Sequence, residues 1–167
     1  RIVPAGHSAG STHIASVIAG HSGAKPEGIA AAIMISGIYD PATAAKGQTG
    51  RVVRAYFGND ERLYPQRSTL QGLAESELPM LFAVAEFDLA TAHQQAWLVL
   101  DKLFHTYGLL PAFVWVPGHT HLSEVLSLGA DDDSVLDQAR RLSLAQVPVA
   151  RVDKDTRPGL RSANCTA

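Results

Sequence analysis

Gly6-His7-Ser8-Ala9-Gly10 is a G-x-S-x-G pentapeptide within the first ten residues of the chain. This pattern belongs at a sharp strand-to-helix turn, which lifts the serine hydroxyl above the edge of a parallel sheet. The chemistry open to such a serine is attack on an acyl carbonyl. A hydroxyl is a weak nucleophile at neutral pH, so it needs a base within hydrogen-bond reach and an acid to orient that base. Gly6 and Gly10 are expected to remove side chains that would collide in the turn. The N–H of Ala9, directly after Ser8, is the expected oxyanion donor, at the positive end of the helix that follows. On its own the pentapeptide reads equally well as a Gly/Ser turn without chemistry.

Where a serine sits on such an elbow, the acid and then the base follow it in chain order. Asp88 lies past the apolar run Met80 to Ala85 and before a helical pattern. Glu86 is a nearer competitor, but Asp88 stands farther into the loop, where catalytic groups gather at the carboxyl ends of strands. His119 and His121 follow the run Ala112 to Val116 after Pro117-Gly118, and either could be the base. A metal pair made by this H-x-H is disfavoured, because no third ligand with recognisable spacing accompanies it. His7, His13, His21, His93 and His105 lack a matching context and read as structural or surface residues.

The elements that must position these groups are legible in outline. Four apolar runs read as strands: the approach to the elbow, Ile29 to Ile38, Met80 to Ala85 and Ala112 to Val116. They are near-continuous, as in a parallel sheet covered on both faces. Helical patterns separate them. Ser11 to Ala19 continues from the elbow until Gly20 stops it. Ala92 to Tyr107 carries Ala92, Ala96, Val99, Leu100, Leu103, Phe104 and Tyr107 on one stripe, with a capping box of Thr91 and Gln94 before it and Gly108 after it. A last helix is expected from Asp132 to Leu142, with Val135, Leu136 and Ala139 inward and Asp131, Asp132 and Asp133 at its positive end. Pro41 to Glu77 is longer than an ordinary connection and is expected to hold a short helical or lid-like excursion. Alternation of strand and helix gives an α/β fold, a parallel sheet with flanking helices. Residues 1–145 form this domain, and 146–167, with Pro148, Pro158 and Gly159, read as a loosely structured tail.

Composition narrows the partners. The chain has 167 residues, 46% hydrophobic and 18% charged, with a net charge of −2. It is long enough to bury a core. The absence of a basic patch argues against nucleic acid, and no apolar run approaches a membrane span. The single cysteine, Cys165, excludes an internal disulfide framework and suits a reducing, cytoplasmic location.

Five stretches taken together resemble one family: Gly6-His7-Ser8-Ala9-Gly10, Ser36-Gly37-Ile38-Tyr39-Asp40, Tyr56-Phe57-Gly58-Asn59-Asp60, Ala85-Glu86-Phe87-Asp88 and Gly118-His119-Thr120-His121-Leu122-Ser123. Their order is similar to that of α/β-hydrolase esterases of the carboxylesterase, arylformamidase and feruloyl-esterase-like group, over about Arg1 to Leu142. The resemblance implies a nucleophile at Ser8, an acid at Asp88 and a base at His121, which precedes the apolar Leu122. It implies a small-molecule ester substrate, an acyl-enzyme, and neither a metal nor an organic cofactor. It also implies three or four further strands before the elbow and a His-Gly-Gly type loop with a second oxyanion donor. These residues are not in the sequence, which therefore reads as the C-terminal part of the α/β-hydrolase fold. The uncovered sheet edge leads to an expectation of self-association or of a missing N-terminal segment. A truncated, non-catalytic remnant acting as an interaction module is the alternative function.

Overall fold

The parallel strands expected from the apolar runs are present in a computed structural model, which describes residues 2–23, 27–131 and 134–145. In chain order the elements are β1 (Ala5–His7), α1 (Ala9–Ile18), β2 (Ala32–Ile35), α2 (Pro41–Ala44), α3 (Gly50–Phe57), a 3₁₀ turn (Glu61–Leu63), α4 (Tyr64–Arg67), α5 (Leu70–Glu75), β3 (Met80–Phe87), α6 (Ala90–Tyr107), β4 (Ala112–Thr120), α7 (Ser123–Leu126) and α8 (Ser134–Ala145). The sheet order is β1-β2-β3-β4, all parallel. Parallel neighbours need a crossover, and α1, the excursion and α6 provide them.

Side-chain alternation explains why the strands look continuously apolar. Ala32, Met34, Met80 and Phe82 point to one face, where they pack with Ala15 and Ile18 of α1, Leu73 of α5, and Val99 and Leu103 of α6. Ile33, Ile35, Leu81 and Ala83 point to the other, against Val135 and Ala139 of α8. Both faces of β2 and β3 are thus buried, and each fully buried aliphatic or aromatic side chain contributes about 1.5–3 kcal/mol. The excursion from Pro41 to Glu77 holds its own small core of Ala44, Ala45, Val53 and Tyr64.

Four expectations are corrected. β4 is not covered on both faces: Val114 and Val116 are buried, but Phe113 and Trp115 are 38% and 46% exposed. As the last strand of the sheet it packs fully on one side only. α6 starts at Ala90 with Leu89 at its N-cap and no side-chain cap. The expected capping box of Thr91 and Gln94 is therefore not formed; Thr91 is buried and bonds Thr49 Oγ1 at 3.0 Å. Phe104, expected inward, is 46% exposed, whereas the polar Gln95 is fully buried. α8 runs Ser134–Ala145 instead of Asp132 to Leu142. Asp132, Asp133, the Leu136 side chain and the expected tail at 146–167 lie outside the described residues.

Candidate active site

The elbow follows from close contact between β1 and α1. Ser8 sits between them with φ 53° and ψ −116°, a conformation rare for a residue with a side chain. A Cβ on Gly6 would meet the Gly10 carbonyl carbon at 2.5 Å, so only glycine fits there. Gly10 is a correction to the expected pair, since a Cβ there would meet nothing within 4 Å. Ser11, fully buried, ties the turn to the sheet. Its Oγ lies 2.6 Å from Gly6 O and 2.7 Å from Ile35 O, and it accepts from Ile35 N–H at 2.8 Å. Ala9 is the first residue of α1, so its N–H has no intrahelical acceptor. It points from the positive end of that helix, as an oxyanion donor requires.

The acid and base meet at the same rim. His121 Nδ1 donates to Asp88 Oδ1 at 2.8 Å, and the Asp88 side chain is fully buried. Burial alone would push the Asp88 carboxyl up. Hydrogen bonds from His121, Ser36 and the Leu89 N–H outweigh it and hold the group below the ordinary carboxylate range. The hydrogen bond to Asp88 raises His121 above the ordinary imidazole value, against an opposing effect of burial. With Nδ1 engaged, Nε2 is left to accept a proton. No Ser8–His121 hydrogen bond forms among the described residues. Such contacts tighten when substrate binds. The two loops do touch through the neighbouring residue: His7 Nε2 donates to His121 O at 2.7 Å, and the His7 and His121 rings are 4.6 Å apart.

Of the residue pairs left open by sequence, geometry separates each. Glu86 does not face the imidazole; it accepts from Gly118 N–H at 2.7 Å. That bond holds a bulge in which Ala85 pairs with Val116 but Phe87 pairs with Thr120. The extra β4 residues carry His121 beyond the strand end. His119 turns instead to Ser123 Oγ, 3.2 Å from its Nδ1.

Three participants were not legible as such. Ser36 has φ 51°, the second left-handed non-glycine residue after Ser8, and it too directly follows a strand. Its Oγ lies 2.6 Å from Asp88 Oδ2 and 2.6 Å from Glu124 Oε1. Glu124 is fully buried in α7, and His7 Nε2 lies 3.3 Å from its Oε1. A signal for Ser36 was present in the Ser36 to Asp40 stretch, but nothing in the sequence places Glu124 beside it. Among the described residues, His7, His121 and Glu124 are the cluster that could hold a metal, with one ligand atom from each within 4.8 Å of the others. This differs from the His119/His121 pair considered from sequence. His7 Nε2 is already committed to a carbonyl and His121 Nδ1 to a carboxylate.

A scan against protein-family models finds no match, and a search of curated proteins finds none. Solved structures are similar. The acylaminoacyl peptidase of Pyrococcus horikoshii superposes with a TM-score of 0.64 at 15% identity, covering 87% of this chain and 23% of that one. Carboxyl esterase 2 of Tuber melanosporum gives 0.60 at 21% identity, over 84% of this chain and 51% of that one. Esterase B of Lactobacillus rhamnosis gives 0.65 at 14%, over 85% and 52%. The chain thus spans about a quarter of the peptidase and about half of each esterase. Its four-stranded parallel sheet with flanking helices is that of the α/β-hydrolase fold. Among the described residues no helix is long and apolar enough to cross a membrane.

Proposed function

We propose that this chain carries the catalytic residues of a serine hydrolase that cleaves carboxylic esters of small molecules. His121 Nε2 takes the proton of Ser8 as Oγ attacks the ester carbonyl. The resulting oxyanion is held by Ala9 N–H, and Asp88 stabilises the imidazolium. His121 then gives the proton to the departing alcohol. Water activated by the same imidazole releases the acyl group from Ser8. Cleavage of small aryl formamides is a variant of the same chemistry.

The observation that carries this reading is the 2.8 Å His121–Asp88 hydrogen bond. It joins two loops on the rim where Ser8 stands in its left-handed conformation. The likeness to esterases and peptidases of the same fold supports it as well. The test is covalent labelling by a fluorophosphonate, followed by location of the modified residue. Label on Ser8, absent in Ser8→Ala, is the expected result. Folded protein that takes no label, or nitrophenyl-ester turnover equal in the two forms, refutes the proposal in favour of a non-catalytic domain.

A further inference from the structure

One hydroxyl lies between two carboxyl groups beside the site. Ser36 Oγ is 2.6 Å from Asp88 Oδ2 and 2.6 Å from Glu124 Oε1. A serine hydroxyl has a single hydrogen and can donate to one of them. The second contact needs a hydrogen of its own, because two oxygens held at that distance with none between them repel. Asp88 is well supplied with donors, from His121 and from the Leu89 N–H at 2.6 Å. Glu124 is not. It is fully buried, its Oε2 has no hydrogen-bond partner, and the nearby His7 Nε2 directs its hydrogen to His121 O. A buried carboxylate oxygen without a donor is far more costly than the carbonyl oxygen of a neutral acid.

We propose that Glu124 stands here as a neutral carboxylic acid that donates to Ser36 Oγ, and that Ser36 in turn donates to Asp88 Oδ2. Glu124 and Ser36 are then positioning residues. The chain Glu124–Ser36–Asp88–His121 fixes the carboxylate that orients the imidazole. The left-handed backbone at Ser36 agrees with this, since such conformations persist where the surroundings over-determine them. The role as positioning residues rests on the triad proposed above; the arrangement of hydrogens does not.

The titratable groups around Glu124 are His7 from β1, Asp88 after β3, His121 before α7 and the buried Tyr39 after β2. Infrared difference spectroscopy between wild type and Glu124→Gln at neutral pH reads the acid directly. A carboxylic C=O band lost in the variant is expected. Its absence from wild type overturns the proposal and assigns Glu124 as a carboxylate paired with protonated His7. The kinetic arm uses nitrophenyl-ester turnover. Glu124→Ala and Ser36→Ala are expected to lower kcat about tenfold at unchanged KM, with Glu124→Gln restoring most of the loss because its amide can still donate to Ser36. The acidic limb of kcat/KM should stay in place in Glu124→Gln. A limb displaced to lower pH would show that a negative charge near His121 had been removed, and also overturns the proposal. If Glu124→Ala fails to fold, the Gln variant and the infrared band still decide. If fluorophosphonate never labels Ser8, the hydrolase reading fails while the band still reports on Glu124.

Discussion

Replacing Gly6 with alanine separates the two glycines of the elbow. The new Cβ would lie 2.5 Å from the Gly10 carbonyl carbon, 2.7 Å from its oxygen and 2.7 Å from Ser11 N. Carbon atoms rest at about 3.5–4.0 Å, so the contact is short by about 1 Å. All three obstacles are backbone, and no rotamer change relieves them. β1 and the first turn of α1 must part. Overpacking of this kind costs about 1–3 kcal/mol. The Ser11 hydrogen bond to Gly6 O, 2.6 Å long, spans the same gap, and its loss adds about 1 kcal/mol. For a chain of this size the sum of about 2–4 kcal/mol corresponds to a fall in Tm of roughly 5–15 °C. A shift near 1 Å at Ser8 would also lower kcat/KM about 10²-fold. Gly10→Ala is the control. It meets open space inside α1 and should raise stability by about 0.5–1 kcal/mol. Thermal unfolding of both variants, with nitrophenyl-ester turnover alongside, measures the contrast. Equal destabilisation by the two substitutions, or a neutral Gly6→Ala, would refute the steric argument.

Other outcomes follow from the same geometry. Asp88→Asn should lower kcat by about 10⁴, because the imidazole loses its orienting carboxylate. His121 must be neutral to act as base, and Asp88 raises it above its ordinary value. The wild-type kcat/KM should therefore fall on acidification through that raised value, and in Asp88→Asn the limb should move to lower pH. A pH–rate profile of both proteins checks the sign. Gln95→Leu removes the Oε1 that accepts from Tyr39 N–H at 2.8 Å and Asp40 N–H at 2.7 Å. Two buried or half-buried donors lose their partner, at about 1–3 kcal/mol each, and denaturant unfolding should show the loss.

Sequence and structure agree where one physical rule dominates. β2 and β3 were legible because burial on both faces leaves no polar position in Ala32–Ile35 or in Met80 to Ala85. β4 obeyed a different rule. At the sheet edge its Phe113 and Trp115 remain partly in water, yet they look as apolar as buried residues. Asp88 and His121 were legible because they lie in loops just past strands. Ser36 and Glu124 were not. A serine before Gly37 reads as a turn residue, and Glu124 reads as an exposed helix position; only the fold shows one pressed between two carboxyls and the other buried. Gln95 was hidden for the same reason, since its partners are backbone groups fifty-five and fifty-six residues away.

The strands lie side by side in the order in which they occur along the chain. Each can therefore add to the one made just before it, without waiting for a distant segment. During translation the ribosome delivers Ser8 first, Ser36 and Asp88 next, and His121 only after the fourth strand. A nascent polypeptide thus exposes its hydroxyl long before a proton acceptor arrives. Reactivity would switch on at the final docking step, which keeps half-made chains chemically silent.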